Sequence, residues 1–163
     1  MFDTFTGLPM HVLVIHLVVV LVPLSAMATI AVFLRPTWRE RYAAPVAALN
    51  VAMLVLTFVT VEAGWDLQSR YRKLGDTQAP KNHHEGLGKA LLIIVLVLAV
   101  ASVGTWAGGV AKLPALAVTG LAGLVAGLAV ASIVLTVLTG DAGSRSHWAD
   151  FIKSSDKAAA NHQ

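Results

Sequence analysis

Residues 9–34 read PMHVLVIHLVVVLVPLSAMATIAVFL, a stretch without a single Asp, Glu, Lys or Arg. A helix of about 20 apolar residues crosses the hydrocarbon core of a bilayer, so this stretch is long enough to span a membrane. It carries two histidines, His11 and His16, in its first two turns. Because an imidazole at membrane depth is costly, these two side chains mark the first candidate functional site.

The composition of the whole chain indicates the same class of protein. Of its 163 residues, 56% are hydrophobic and only 13% are charged, and the mean hydropathy is +0.72. A soluble domain has about 25% charged residues, so we predict an integral membrane protein. The basic residues form no amphipathic stripe, so we expect no nucleic-acid partner. The absence of cysteine excludes disulfides, thiolate metal sites and iron–sulfur clusters held by this chain.

Three further apolar stretches extend this prediction to an all-α fold, an integral membrane four-helix transmembrane bundle with both termini on the same side. No Lys or Arg precedes the first stretch, which is longer than the core of a signal peptide, so we interpret it as an uncleaved helix. The predicted single membrane domain has helices at about 9–34, 42–63, 84–107 and 114–139, a polar loop at 64–83 and a polar tail at 140–163.

Small residues recur at four-residue spacing in the last two predicted helices. Gly104 and Gly108 close the third helix, and Gly123 and Gly127 lie within the fourth. This pattern lets transmembrane helices approach closely, and we predict that it serves packing inside the bundle rather than a homodimer interface. No inverted repeat of the kind found in transporters is visible, which disfavours a transport function.

The orientation in the membrane is predicted from the distribution of Lys and Arg. No such residue precedes the first helix, whereas Arg35, Arg39 and Arg41 follow it. That asymmetry places the short turns in the cytoplasm and both termini outside. The longer segments on the termini side hold more Lys and Arg in total, which argues the other way, and we favour the first interpretation.

All six histidines fall on the termini side of the predicted bundle. We expect His83, His147 and His162 to be solvated. His16 is predicted to lie about one turn inside the hydrocarbon, where it must form a hydrogen bond or bind something. It lies about 140° around the helix from His11, so the two rings cannot both face one point directly.

Two kinds of cofactor fit this arrangement, and a plain structural role for the histidines stays open beside them. A b-type haem held by His84 together with His11 or His16 would occupy the bundle interior, where four-helix bundles hold cofactors. Gly86 and Gly88 would leave room for the flat ring. Alternatively, zinc or copper could bind imidazoles and a carboxylate; the candidate metal ligands are His11, His16, His84, Glu62 and Asp141. In the haem hypothesis the two carboxylates would orient the histidine rings.

Three motifs resemble a bacterial family of small membrane proteins catalogued as domain of unknown function 2231. Gly-Leu-Pro-Met-His11-Val-Leu-Val-Ile-His16 is similar to its GLPxHxLxxH start, with Met10 where proline is common. His84-Glu-Gly-Leu87-Gly88 is similar to its HxxLG motif, and residues 139–148, TGDAGSRSHW, resemble its closing TGxxGxxxxW. The resemblance implies that the positions to carry over are His11, His16, His84 and Asp141, and that the location is the bacterial inner membrane.

Some members resembling this chain are joined to Rieske-type iron–sulfur domains, which implies electron transfer. The leading hypothesis, motivated by a buried His16 and the histidine cluster on one side, is a redox-associated subunit that binds haem b or a metal ion beside respiratory enzymes, with other membrane subunits or an iron–sulfur protein as partners. The alternative is a cofactor-free structural accessory subunit of a larger membrane complex. We expect no catalytic activity from this chain itself, because no nucleophile with a paired base is visible in the apolar stretches.

Overall fold

The computed structural model describes residues 4–5, 8–73 and 82–160, with side chains at 11, 13–69, 73, 83–145 and 148. Two short strands, β1 (Thr4–Phe5) and β2 (Leu8–Pro9), pair antiparallel ahead of the helices. The four helices that follow are α1 (Met10–Phe33), α2 (Pro36–Lys73), α3 (Asn82–Val110) and α4 (Ala115–Ala160).

Each helix contains a stretch that is long and apolar enough to cross a membrane. These stretches are Leu13–Phe33, Pro36–Ser69, His83–Val110 and Ala115–Arg145. Consecutive helices pack against each other and α4 packs against α1, which closes a ring of four. The predicted all-α, four-helix transmembrane bundle with both termini on the same side is confirmed.

The second and fourth helices are longer than their apolar stretches. α2 begins at Pro36, within the predicted basic turn, and continues to Lys73; α4 continues to Ala160, through the predicted polar tail. Proline is favoured in the first helical turn because it has no amide hydrogen to leave unbonded. Extending an existing helix needs no new nucleus, so polar residues can continue a helix that an apolar stretch has started.

The turn between α3 and α4 comes later than the predicted end of the third helix at about residue 107, because Gly108 and Gly109 both lie inside α3. Lys112 takes a left-handed φ of 55°. Its N–H donates to the Gly109 carbonyl at 3.1 Å, and the N–H of Leu113 donates to the Gly108 carbonyl at 3.0 Å. These two bonds form a Schellman cap, and Leu113 packs over Gly108 as such caps favour.

Three of the four glycines predicted to pack inside the bundle face outward instead. Gly104, Gly123 and Gly127 are exposed, and a Cβ atom placed on any of them would meet no atom within 4 Å. The prediction of interior packing is therefore wrong for these three. Buried alanines let the helices approach instead; five of them are Ala26, Ala47, Ala122, Ala126 and Ala129.

A buried amide joins three helices near the middle of the bundle. Asn50 of α2 is 1% exposed. Its Nδ2 donates to the Thr29 hydroxyl of α1 at 3.1 Å and to the Ser102 hydroxyl of α3 at 2.9 Å. Its Oδ1 accepts from the Ser25 hydroxyl at 2.9 Å. Asn50 therefore faces two other helices, and no buried side-chain nitrogen or oxygen among the described residues lacks a partner.

Candidate functional site: two histidine clasps

The first histidine contact ties the start of α1 to α2. Nδ1 of His11 lies 2.9 Å from the carbonyl oxygen of Thr60. Because a carbonyl oxygen only accepts, Nδ1 must carry the hydrogen, and in the neutral ring the lone pair is then on Nε2. The contact thus fixes both the tautomer and the orientation of the imidazole.

A glycine one turn beyond Thr60 makes room for this ring. A Cβ atom on Gly64 would lie 3.1 Å from both Cε1 and Nδ1 of His11, closer than such atoms ordinarily approach. The Thr60 hydroxyl donates to the Leu56 carbonyl of its own helix at 2.8 Å, so Thr60 contacts the imidazole through its backbone carbonyl. We call this set of histidine, threonine carbonyl and glycine a histidine clasp.

A second histidine clasp ties the start of α3 to α4. Nδ1 of His84 lies 3.0 Å from the carbonyl oxygen of Thr139. A Cβ atom on Gly143 would lie 3.0 Å from Cε1 and 3.3 Å from Nδ1 of this ring. The Thr139 hydroxyl donates to the Leu135 carbonyl at 2.6 Å, as its counterpart does in α2.

The two histidine clasps are repeats of one arrangement. A shift of 73 residues takes His11 to His84, and a shift of 79 takes Thr60 to Thr139 and Gly64 to Gly143. The buried faces of α1 and α3 repeat with the same shift of 73, which carries Val18, Val22, Ala26 and Thr29 onto Leu91, Val95, Ala99 and Ser102, all of them buried.

Both hairpins, α1–α2 and α3–α4, run in the same direction around the closed ring. The repeat is therefore parallel, about an axis along the bundle, and not of the inverted kind considered from the sequence. The sequence signal for it was present and was missed. Residues 60–64 read TVEAG and residues 139–143 read TGDAG.

The two imidazoles lie at the same end of the bundle and influence each other. His11 precedes the membrane-crossing stretch Leu13–Phe33. Burial lowers the pKa of His11 below its usual value of 6.5, the hydrogen bond to Thr60 opposes this, and the neighbouring His84 lowers it further. His11 is therefore held neutral near pH 7, with its Nε2 lone pair available.

Nε2 of each imidazole lies on the side of the ring away from the glycine of its clasp. In both clasps Nε2 lies farther from the glycine Cβ position than Cε1 does, at 3.8 Å from Gly64 and 3.7 Å from Gly143. Beside His84, a Cβ atom on Gly86 or Gly88 would meet no atom within 4 Å. Gly86 is exposed, so the space beside it is open surface, and the expected room for a haem ring stays a prediction.

Neither clasp includes His16 or His83, the other two histidines whose side chains the structure describes. His16 is exposed on the outer face of α1, and His83 is exposed, as predicted. The side chain of His147 and the whole of His162 lie outside the described residues. The predicted role of His16 as a ligand stays a prediction.

The two carboxylates do not orient the imidazoles in this structure. Glu62 is half-buried, while Asp141 is exposed and forms an ion pair with Arg145 at 2.8 Å. The ring nitrogens are held by backbone carbonyl oxygens instead. Within the described part of the chain, no group of three or more His, Cys, Asp or Glu residues is placed to hold a metal ion.

Four membrane-crossing helices, closed into a ring with one histidine clasp in each half, define a small integral membrane bundle with a parallel internal repeat. A family model described as a predicted membrane protein, DUF2231, matches residues 7–156. The chain belongs to this family, which confirms the resemblance read from its motifs. Neither the curated proteins nor the solved structures give a significant match.

Proposed function

We propose that the protein is a redox-associated membrane subunit that binds a cofactor through Nε2 of His11 and His84. The observation that carries this proposal is the pair of histidine clasps. Each clasp fixes Nδ1–H on a backbone carbonyl. A metal-ligating histidine is commonly held in this way, because the bond to its other nitrogen sets the tautomer and raises the basicity of the ligating atom.

Haem b suits two imidazoles better than zinc or copper does. A porphyrin supplies four nitrogen ligands itself, so the protein need add only axial ligands, whereas a structural zinc site takes four ligands from the protein. The described residues bring together two imidazoles and no larger group of metal-binding side chains. Gly88 lies one turn beyond His84 on the same face of α3, and the open space at its Cβ position would suit a flat cofactor near that ring. When bound, haem would supply one-electron chemistry.

The proposed partners and location follow from the same argument. The chain has no cysteine, so it holds no iron–sulfur cluster through thiolates. Electrons would have to reach a haem from another membrane subunit or from an iron–sulfur protein of a respiratory complex. The arginines at 35, 39 and 41, at the opposite end from the clasps, favour an inner-membrane orientation with the histidine end outside.

The test is a visible absorption spectrum of the detergent-purified protein, oxidised and then reduced with dithionite. We expect a Soret band and sharp bands on reduction, lost in His11→Ala and in His84→Ala. His83→Ala is the matched control, since it removes an exposed imidazole beside His84 and should keep the spectrum. His16→Ala tests the sequence-based ligand set and should also keep the bands.

Two results would overturn the proposal. One is protein that carries neither haem nor a stoichiometric metal ion after expression with excess haem precursor. The other is a cofactor spectrum that survives both clasp variants. If His16→Ala alone removed the bands, the axial ligands would have to be reassigned to the outer face of α1.

A cofactor-free accessory subunit is the second candidate, and two observations favour it. The clasps tie each hairpin together without any ligand. Gly123 and Gly127 leave an open surface on α4 where another helix could approach closely. If the protein is an accessory subunit, His11→Ala and His84→Ala weaken its stability or assembly and change no spectrum. The absorption experiment therefore distinguishes the two candidates.

A further inference from the structure

An apolar groove runs along the outer surface between α2 and α3. Its volume is about 400 Å³, and its walls are Leu54, Val55, Phe58, Leu92, Ile93 and Leu96. All six lie within the membrane-crossing stretches Pro36–Ser69 and His83–Val110. Val55 and Ile93, on opposite walls, are 58% and 59% exposed. The groove therefore opens towards the hydrocarbon of the bilayer.

Contacts between the same two helices bound the groove above and below. Towards the middle of the bundle, Asn50 donates to Ser102 at 2.9 Å. Towards the histidine end, the Lys89 ammonium lies 5.6 Å from the centre of the Trp65 ring. The groove lies between these two levels on the outer side of the helix pair, while Met53 of α2 and Val95 of α3 belong to one buried cluster on the inner side.

The rim at the histidine end is polar and carries both charge signs. Lys89 precedes Ile93 by one turn and Trp65 follows Phe58 by two turns, so both lie above the walls of the groove. Lys89 pairs with Glu85 at 2.6 Å. The indole N–H of Trp65 is a donor at the level where tryptophans meet lipid headgroups.

We propose that this groove binds one zwitterionic phospholipid of the bilayer, with an acyl chain between α2 and α3. The phosphate binds the Lys89 ammonium and the Trp65 indole N–H, and a headgroup ammonium, as in phosphatidylethanolamine, lies near Glu85. Apolar contact with the six wall residues supplies the affinity, and the mixed charge of the rim selects the headgroup. This site is independent of the histidine pair.

The internal repeat provides a built-in comparison on the opposite side of the bundle. The shift of 73 residues makes His16 of α1 the equivalent of Lys89 in α3. The shift of 79 residues makes Ser144 of α4 the equivalent of Trp65 in α2. Those two equivalent positions therefore carry neither a lysine nor a tryptophan. Val20 and Val134 stand where Ile93 and Val55 stand, and they are similarly exposed, at 56% and 50%.

The experiment is native mass spectrometry of the detergent-purified protein during titration with phosphatidylethanolamine. The wild type should bind one lipid per chain in a saturable manner. Ile93→Trp and Val55→Trp fill the groove from either wall and should each weaken binding about tenfold, because the acyl chain loses its buried surface. The matched controls Val20→Trp and Val134→Trp should bind as the wild type does.

The headgroup assignment is tested with Lys89→Gln, which should weaken binding about threefold, in the range of an exposed charge contact. His11→Ala should bind lipid normally, so failure of the cofactor proposal does not affect this one. Circular dichroism checks that each variant is helical. Non-saturable binding, or equal loss in groove and control variants, would show general lipid contact only and overturn the proposal. Tighter binding of phosphatidylglycerol would overturn the headgroup assignment.

Discussion

In the first hairpin, α2 carries Asn50 at the position where α4 of the second hairpin carries Ala129. Both residues are buried. Asn50 reaches across to α1 and α3, whereas Ala129 lies in an apolar cluster with Phe33 and Val125. The clasps, by contrast, are present in both hairpins. The two kinds of contact therefore have different structural roles. The clasps join the two helices of each hairpin, and the Asn50 amide joins the first hairpin to the second.

Removing the amide should have the largest effect on the bundle. Asn50→Ala leaves a cavity and takes the partner from the Ser25 hydroxyl. We expect a loss of about 2–4 kcal/mol in the free energy of unfolding. The measurement is denaturation in mixed micelles followed by circular dichroism.

Asn50→Leu sharpens this test because it fills the volume and removes only the hydrogen bonds. It should cost less than Asn50→Ala and still more than either clasp variant described next. If Asn50→Leu were as stable as the wild type, the hydrogen bonds between the hairpins would contribute nothing net, and the proposed division of tasks would be wrong.

The next largest effect should come from closing the space under each imidazole. Gly64→Ala and Gly143→Ala place a methyl group 3.1 Å and 3.0 Å from the histidine ring atoms. The ring must shift and its hydrogen bond must weaken, at a cost of about 1–2 kcal/mol in each variant. Because the two clasps repeat one geometry, the two costs should be similar.

Gly123→Ala and Gly127→Ala are the matched controls, since both glycines are helical and face open space. Alanine is the better helix former, so these variants should be neutral or more stable by up to about 1 kcal/mol. Destabilisation of equal size in all four variants would mean that the clasp glycines have no special role.

The smallest expected effect is a pH dependence that comes from the first clasp. The pKa of folded His11 is lowered from 6.5, so below this pH the unfolded chain binds more protons at this site than the folded chain does. Stability should therefore be fully present above pH 6.5 and fall as the pH is lowered. The thermal midpoint measured between pH 7.5 and 5.5 should fall less in His11→Ala than in the wild type. If the thermal midpoint fell equally with pH in both proteins, His11 would not be the cause of the pH dependence.

The architecture was largely predictable from the sequence because bilayer thickness fixes the length of an apolar helix. The inward position of Asn50 was also predictable, since an amide in hydrocarbon must find partners. The exposed position of His16 and the outward glycines were not. A membrane helix is apolar on every side, so no hydrophobic face distinguishes the interior from the lipid, and neighbouring helices decide which residues are buried.

The candidate site was predictable in part. His11 stood out because an imidazole is unusual in the first turns of a long apolar stretch, and His84 because it begins the third predicted helix on the same side. Their partners did not, because every residue has a backbone carbonyl and none is marked in the sequence as the one a ring will reach. The glycines at positions 64 and 143 were the part of that contact that the sequence could indicate. The similar strings TVEAG and TGDAG mark these two glycines as equivalent positions of a repeat.

Each clasp lies wholly within one hairpin, and this has a consequence for how the molecule is assembled. Two copies of a single hairpin, related by a two-fold axis, would form both clasps at once, as in an isologous dimer. This chain is equivalent to such a dimer with its subunits covalently joined. In a true homodimer every substitution appears twice. Joining the halves releases that constraint, and Asn50, present once opposite Ala129, is a difference that a homodimer of one hairpin could not have.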